Sequence, residues 1–310
     1  AQFCKEHLHL NVMASSSFRS GDPRAALRDG FRKTESDLIF EQRTRSKSAS
    51  DEVAVGGSGD ADRRGSGGGD GGGGGGAGCC GSTVLLMLLQ LESLHVAWLG
   101  DCRAVLCRGG EAIAITQDHC LEDESERARA LAEGGTVVGN RLGGFLEVAR
   151  ALGDFDHTLG GKPAGLSAQP DVRTQPLQPE DEFVVLGSDG LWGVIGPDDA
   201  VRLARAELQA YEGDAAMASE KLVEVAQKRH ADDNITALVA VLNFSAAAKA
   251  EAPRERPRLR LMPRTAAVPH PGPDERTSNG STASASSVMT ASSILHDRSE
   301  RPSQASERMS

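Results

Sequence analysis

The sequence predicts an α+β fold in which two antiparallel β-sheets lie face to face between flanking helices, an α-β-β-α sandwich. Strand-like apolar runs follow one another through residues 83–116 with short turns between them, and connections this short join antiparallel neighbours. Helical segments stand before and after this block, and a last strand-like run covers 235–243. This order of elements favours a layered α+β domain over the alternating strands and helices of a parallel sheet.

Two helices are predicted in the first 45 residues. Residues 3–13 have helical character without a recognisable start, whereas Asp22-Pro23 offers an N-cap followed by proline at the first helical position. The second helix should run to about Arg45. One face of it carries Leu27, Phe31, Thr34 and Leu38.

The remaining elements are read from apolar runs and from their stop signals. Strands are predicted over 83–92, 94–99, 104–108, 112–116, 136–138, 145–149, 183–186 and 235–243, and helices over 122–133, from Pro197 to about Leu208, and over 214–228. The run 183–186 is continuously apolar, as in a strand buried on both faces. Residues 156–182 are rich in Gly, Pro and Gln and are predicted to form a long irregular loop beside a site.

One folded domain is expected over residues 1–244, interrupted by a disordered insertion at 46–78 and followed by a disordered tail at 245–310. Eleven of the fourteen residues from Gly65 to Gly78 are glycine, too many to offset their own ordering entropy. After Phe244 no aromatic residue occurs and Ala, Ser, Pro and Arg dominate. The arginines of 254–264 fit a solvated charged tail better than a nuclear-import or docking signal.

Composition narrows the class of protein. A net charge of −10, from 34 basic and 44 acidic residues, argues against nucleic-acid binding and suits a site that gathers divalent cations. The longest apolar run, Val84 to Leu89, is strand-sized, so no membrane partner is expected. Six cysteines without a Cys-x-x-Cys spacing indicate reduced thiols and a cytoplasmic or nuclear location. We expect a monomer.

Three aspartates stand where loops meet predicted strands, and they are the candidate metal ligands. Asp189 lies between glycines directly after the strand 183–186, Asp154 follows Gly153, and Asp233 comes just before the last strand. Each could instead be an ordinary turn residue. Oxygen ligands from separate loops are, however, what a hard cation such as Mg²⁺ or Mn²⁺ requires. Sequence spacing does not show whether the three converge.

Eight short motifs occur in an order that resembles the protein phosphatase 2C family, the metal-dependent Ser/Thr protein phosphatases. They are Gly81-Ser82-Thr83, Gly100-Asp101-Cys102-Arg103, Asp118-His119, Glu126, Arg150-Ala151-Leu152-Gly153-Asp154, Gln169-Pro170-Asp171-Val172, Gly187-Ser188-Asp189-Gly190-Leu191-Trp192 and Asp233-Asn234-Ile235-Thr236. Each motif alone is weak, but the ordered series is specific.

The resemblance implies a protein phosphatase that hydrolyses phosphoserine and phosphothreonine in phosphoprotein substrates with water activated by two Mg²⁺ or Mn²⁺ ions. Asp189 and Asp233 match carboxylate ligands of that pair, and Asp154 matches a position that helps to hold a third, weaker ion. Residues 156–182 match a flap beside the cleft. Asp101, Asp118 and Glu126 match framework positions, as does Arg103, for which a salt bridge or a hairpin cap is expected.

The family's Asp-Gly-His-Gly-Gly block, which provides a bridging carboxylate and a histidine general acid, stands upstream of the helix that residues 3–13 resemble. The chain begins with Ala1, after that block, so we expect an N-terminally truncated phosphatase sequence. No catalytic residue other than the metal ligands is assigned within the chain, and weak metal binding with little turnover is expected. The alternative is a catalytically inactive phosphatase-like domain that binds partners or regulates signalling.

Overall fold

A computed structural model describes residues 1–55, 80–90, 92–155, 161–243 and 286–293, and for 45–55 and 286–293 it describes the backbone alone. The helices are α1 (Gln2–Ala14), α2 (Ser16–Arg19), α3 (Pro23–Val55), α4 (Glu124–Ala132), α5 (Asp189–Trp192), α6 (Pro197–Ala210) and α7 (Ala215–Lys228). The strands are β1 (Gly81–Gln90), β2 (Ser93–Leu99), β3 (Arg103–Arg108), β4 (Glu111–Ala114), β5 (Val137–Val138), β6 (Arg141–Leu142), β7 (Leu152–Gly153), β8 (Asp171–Pro176), β9 (Asp181–Gly187), β10 (Ala237–Val241) and β11 (Ser286–Ser293).

Two sheets form the body of the domain. Sheet I has the order β11-β1-β2-β8, with β7 added at the start of β1, and sheet II has the order β10-β9-β3-β4. All of these pairs are antiparallel except β11 with β1, which is parallel. A separate hairpin is made of β5 and β6.

Three apolar layers hold the sandwich together: one lies between the two sheets, and one lies on the outer face of each sheet. Leu85, Val96, Ala104 and Leu186 belong to the layer that includes side chains of both sheets. The opposite face of sheet I packs on the first helices through residues such as Phe31. The opposite face of sheet II packs on α5–α7 in the same way. Alternate side chains of a strand point to opposite faces, so β1 and β9 are buried on both sides. The predicted α-β-β-α sandwich is confirmed.

Helix α3 is longer than predicted. The prediction ended it near Arg45 and placed disorder from residue 46, whereas the helix continues to Val55. Residues 46–55 contain neither glycine nor proline, so nothing in their sequence ends the helix. Residues 56–79, which carry the rest of the predicted insertion, lie outside the described part.

Two strand assignments between 136 and 182 need correction. A strand over 145–149 is wrong, because Leu146 and Val148 make only isolated bridges, to Leu142 and Cys120. Their alternating burial comes from a small apolar cluster under α4 and not from a ladder. Conversely, the predicted irregular loop 156–182 contains β8, which pairs antiparallel with β2.

The tail was predicted to be disordered over 245–310, and this is wrong for Ser286–Ser293. These eight residues form β11 along the open edge of β1, in a register that sets Ser286 against Ser82. An edge strand presents unpaired N–H and C=O groups, which can recruit any extended segment. The other residues of the tail lie outside the described part.

Candidate metal centre

One end of sheet II collects three of the acidic residues. Gly187, the last residue of β9, pairs with Arg103 of β3 on one side and with Ala237 of β10 on the other. The loops that carry Asp189, Asp101 and Asp233 therefore leave or enter three neighbouring strands at the same end. Strand pairing brings together residues that are far apart in sequence.

Ser188 fastens the Asp189 loop to the Asp233 loop. Its hydroxyl donates to the carbonyl of Asn234 (3.2 Å) and accepts from the N–H of Thr236 (3.0 Å), and its own N–H donates to the Thr236 carbonyl (3.1 Å). Ser188 is almost fully buried, so these hydrogen bonds do not compete with bulk water. The two loops consequently form one unit.

The two aspartates of this unit have the same local geometry. Asp189 accepts the N–H of Gly190 on Oδ1 (2.9 Å), and Asp233 accepts the N–H of Asn234 on Oδ1 (2.7 Å). Each carboxylate is therefore oriented by the residue that follows it. The structure brings together this predicted pair, 44 positions apart in the sequence.

An open cleft of about 400 Å³ lies over Asp189. Asp101 and Glu147 line it as well, together with Arg141 of the β5–β6 hairpin and with Trp192, which forms an apolar wall. The sequence predicts a framework role for Asp101 and does not mark Glu147. The Gly100-Asp101-Cys102-Arg103 motif does not show that Asp101 lines the cleft, and no motif contains Glu147. Both positions at the cleft depend on strand pairing and on the placement of the hairpin.

Negative charge accumulates in this cleft. Burial, followed by the nearby charges of Asp189, Asp118 and Glu147, raises the pKa of Asp101 to about 7, against a backbone hydrogen bond that lowers it. The pKa of Asp189 is also raised, first by burial and then by the charges of Asp233 and Glu147, against the Gly190 hydrogen bond that lowers it. Such a group of carboxylates is electrostatically costly unless protons or cations compensate it.

Asp154 lies apart from this group. It follows β7, whose Gly153 pairs with Gly81 at the start of β1, and its N–H donates to the carbonyl of Cys80 (3.0 Å). Burial raises the pKa of Asp154, while the charge of Lys162 lowers it and that of Glu35 raises it. The predicted trio thus divides into a pair, Asp189 with Asp233, and a separate Asp154.

The carboxylate oxygens of the cleft suit a hard dication in their chemistry. Within the described ranges, however, no three His, Cys, Asp or Glu side chains are arranged to hold one ion. The residues therefore fit Mg²⁺ or Mn²⁺ in donor type, and they supply only part of a coordination sphere.

Two ion pairs form the framework around the cleft. Arg103 donates to both carboxylate oxygens of Asp118, from Nε (2.8 and 3.0 Å) and from Nη2 (2.7 Å), so the salt bridge expected for Arg103 is present. Glu126 is buried and accepts from Arg150 and Arg129. Arg103 and Asp118 line the cleft as an ion pair, whereas Glu126 and its two arginines support the loops outside it.

The Asp101 carboxyl gives a testable pH dependence. Folding raises its pKa from 3.8 to about 7, so the stability that its proton provides is complete below about pH 4 and is lost as the pH rises through 7. In EDTA, Asp101→Asn should therefore have a higher Tm than the unchanged chain at pH 8, and the difference should shrink towards pH 4. Thermal unfolding followed by circular dichroism at several pH values measures this. A difference in Tm that stays constant across this range would contradict it.

The fold and the site together define a class of protein: an α-β-β-α sandwich that gathers carboxylates from separate loops at one end of its sheets. A sequence profile of the family described as "Protein phosphatase 2C" matches residues 77–235, just over half of the chain. The chain belongs to the protein phosphatase 2C family.

Individual relatives agree with this assignment. "Probable protein phosphatase 2C 22" of Arabidopsis thaliana is 45% identical over 183 residues, which cover 57% of this chain and 46% of the relative. "Protein phosphatase 1E" of Mus musculus is 30% identical over 245 residues, which cover 78% of this chain and 28% of the relative. The chain spans less than half of the length of these relatives.

Solved structures share the fold at low sequence identity. The serine-threonine phosphatase 2C of Toxoplasma gondii matches with a TM-score of 0.56 at 20% identity, over 78% of this chain and 81% of that one. A sex-determining protein of C. elegans matches with a TM-score of 0.57 at 19% identity, over 80% of this chain and 54% of that one. None of the helices in the described residues combines the length and the apolar character needed to cross a membrane.

Proposed function

We propose that this chain carries part of the active site of a metal-dependent protein phosphatase that acts on phosphoserine and phosphothreonine. The observation that carries the proposal is that Ser188 fastens the loop of Asp233 to the loop of Asp189, whose carboxylate lines an open cleft. A binding domain has no need of oriented, mutually repelling carboxylates. Membership of the protein phosphatase 2C family supports the reaction class.

Asp189 and Asp233 would hold the ions, because each is a carboxylate fixed by a backbone hydrogen bond. Bound Mg²⁺ or Mn²⁺ would supply positive charge that activates water and offsets the charge of the phosphoryl group. Asp101 and Glu147 add negative charge next to the pair and so favour dications over monovalent ions. Trp192 lines one side of the cleft with an apolar surface.

The openness of the cleft suits a phosphorylated side chain on a protein surface. The cleft is bordered by the turn of the β5–β6 hairpin, and Val138 of that hairpin and Phe145, three residues after it, are largely exposed. Exposed apolar side chains beside a charged cleft are well placed to contact the polypeptide that carries the phosphate. Phosphoproteins are therefore the proposed substrates.

Metal-dependent hydrolysis of a phosphothreonine peptide tests the proposal. Residues 1–310 alone should show little turnover, since two carboxylates must hold dications with few other ligands. A version extended upstream with the family's Asp-Gly-His-Gly-Gly segment should hydrolyse the peptide in millimolar Mn²⁺ or Mg²⁺ and lose all activity in EDTA. If the extended version folds but stays inactive in millimolar Mn²⁺, the proposed phosphatase activity is rejected.

The rival function is a phosphatase-like domain that binds or regulates without catalysis. The observation in its favour is that the described residues contain no group of three metal-type side chains. The two functions differ in one measurement. The rival predicts phosphopeptide binding that is insensitive to EDTA and to Asp189→Asn, whereas the proposed enzyme needs both the metal and that carboxylate.

A further inference from the structure

Among the described residues, two arginines line the cleft, and they differ in how firmly their carboxylate partners are held. Arg103 makes three hydrogen bonds to Asp118, whose side chain is 19% exposed. Arg141 pairs through Nη2 with one oxygen of Glu147, whose side chain is 64% exposed. A pair with so exposed a partner contributes little energy, so Glu147 can leave Arg141 at small cost. Arg141 is thus the cleft arginine that can exchange its partner.

The backbone that carries Arg141 is held rigidly. Gly139 and Asn140 form the turn of the β5–β6 hairpin, with φ of 57° and 60°, and Arg141 follows them as the first residue of β6. A two-residue turn with both φ values positive matches the twist of the strands that it joins. The side chain is oriented as well, because its Nη1 donates to the carbonyl of Phe145 (3.1 Å). A guanidinium has more N–H groups than these contacts use, so Arg141 keeps donors for a further anion.

The negative charge of Glu147 acts on the whole cleft and not on Arg141 alone. It helps to raise the pKa of Asp101 and that of Asp189, after burial, which is the largest cause for both. A phosphoryl or carboxyl oxygen that approached Arg141 would meet the same repulsion from Glu147. An anionic group therefore binds Arg141 most favourably when it takes the place of Glu147.

We propose that Arg141 binds an anionic oxygen of the phosphoprotein substrate, and that Glu147 holds this place until the substrate displaces it. The planar guanidinium offers parallel N–H groups, which match two oxygens of a phosphoryl or a carboxyl group. The anion is therefore either the phosphoryl group itself or an acidic side chain beside it, and both use the same chemistry. This inference rests on the proposed function and deepens it, because it assigns a residue that recognises the substrate.

Steady-state kinetics of the extended version test the two halves of the ion pair, with saturating Mn²⁺ to keep metal occupancy the same in every variant. The substrate is a phosphothreonine peptide with an acidic residue next to the phosphothreonine. Arg141→Gln should raise KM about tenfold, as for a lost hydrogen bond to a charged group, and should leave kcat within about twofold. Glu147→Gln should lower KM several-fold, since the competing carboxylate is gone. A purely structural salt bridge would instead give both variants the same direction of change.

A double variant separates displacement from general electrostatics. In the Arg141→Gln background, Glu147→Gln should no longer lower KM, whereas independent long-range charge effects would add. Arg202→Gln, which breaks an exposed pair on α6, is the matched control and should change neither kcat nor KM. The proposal is overturned by an unchanged KM in Arg141→Gln, by changes of the same sign in the two single variants, or by additive changes in the double variant.

Two further substrates identify the anion that Arg141 binds. p-Nitrophenyl phosphate carries the phosphoryl group without a peptide, so a raised KM for it in Arg141→Gln assigns the contact to the phosphoryl group. A peptide with neutral residues around the phosphothreonine completes the comparison. An effect of Arg141→Gln that is confined to the acidic peptide assigns the contact to the neighbouring carboxylate.

Peptide binding measures the same contact without turnover, so its result does not depend on phosphatase activity. Fluorescence anisotropy of the labelled acidic peptide should show weaker binding in Arg141→Gln and tighter binding in Glu147→Gln. If the extended version is inactive but these opposite shifts occur, the phosphatase activity is rejected and the role of Arg141 is supported. Unchanged affinity in both variants would contradict that role, whether or not the protein hydrolyses the peptide.

Discussion

Gly190→Ala is expected to remove most metal-dependent hydrolysis by the extended version while leaving the sandwich folded. A Cβ atom at Gly190 would lie 2.5 Å from the carbonyl oxygen of Asn234 and 3.1 Å from its carbonyl carbon. Both are backbone atoms, so relief requires the loop of Asp233 to move away from Asp189. A displacement of about 1 Å at a reacting centre can cost 10²-fold in rate. We therefore expect kcat/KM for a phosphothreonine peptide to fall by about 10²-fold or more.

Gly196→Ala is the matched control for this prediction. Gly196 lies six residues further on, before α6, and an added Cβ atom would meet nothing within 4 Å. Its kcat/KM should equal that of the unchanged protein. Asp189→Asn should reproduce the loss seen in Gly190→Ala without altering the loops. Full activity in Gly190→Ala would show that the Asp189–Asp233 spacing does not matter to the reaction.

The sandwich could be predicted because local sequence patterns mark most of its strands and the turns between them. Apolar runs that are buried on both faces, such as Phe183–Leu186 within β9, and short turns such as Gly109-Gly110 depend only on local sequence. Both glycines of that turn have positive φ, at 57° and 86°, where a β-carbon is unfavourable. Local chemistry of this kind fixes which strands are neighbours.

The pairing of β8 with β2 and of β11 with β1 could not be read from local signals. β8 is a six-residue strand with one buried side chain, Val172, in a stretch rich in Gly, Pro and Gln. Its partner β2 is 70 or more residues earlier in the chain. Its strand character comes from the open edge that β2 offers, and an edge exists only in the folded sheet.

The candidate site was predictable in part for the same reason. Asp189 and Asp233 sit in short motifs in which the next residue, Gly190 or Asn234, orients the carboxylate. The motif of Asp101 does not indicate a place in the cleft, and Glu147 belongs to no motif. The structure reveals the electrostatic role of both residues: burial and neighbouring charges raise the pKa of Asp101, and the charge of Glu147 raises that of Asp189. The separation of Asp154 from the pair could be seen only in the structure, because its neighbour Glu35 is distant in sequence and its neighbour Lys162 belongs to no motif.

Glu126 and Arg150 form a buried ion pair near the cleft. Both residues lie in sequence motifs, but the motifs do not show that they pair with each other. Arg150 donates from Nε to both oxygens of Glu126 (2.9 and 3.1 Å), and it also donates to Asp171 (2.9 Å) and to the carbonyl of Gln169 (3.1 Å). The side chains are 12% and 7% exposed. Arg150 lowers the pKa of Glu126 against the effect of burial, which is the largest single influence and raises it. The pair thus joins α4 to the start of β8.

Arg150→Met should lower the free energy of unfolding by about 3 kcal/mol, at the lower end of the cost of breaking a buried pair. The lower end applies because Glu126 keeps Arg129, which donates from Nη2 (3.1 Å) and Nε (3.2 Å). Since Arg150 depresses the pKa of Glu126, its contribution is present above the unfolded pKa of that carboxyl and is lost as the pH falls. Urea unfolding at pH 7 and pH 4 should therefore show a smaller difference between variant and unchanged chain at pH 4.

Arg202→Met, which breaks only an exposed pair with Asp199, should cost less than about 1 kcal/mol at either pH. Equal costs for the two variants would mean that the Glu126–Arg150 pair stabilises the domain no more than a surface salt bridge does.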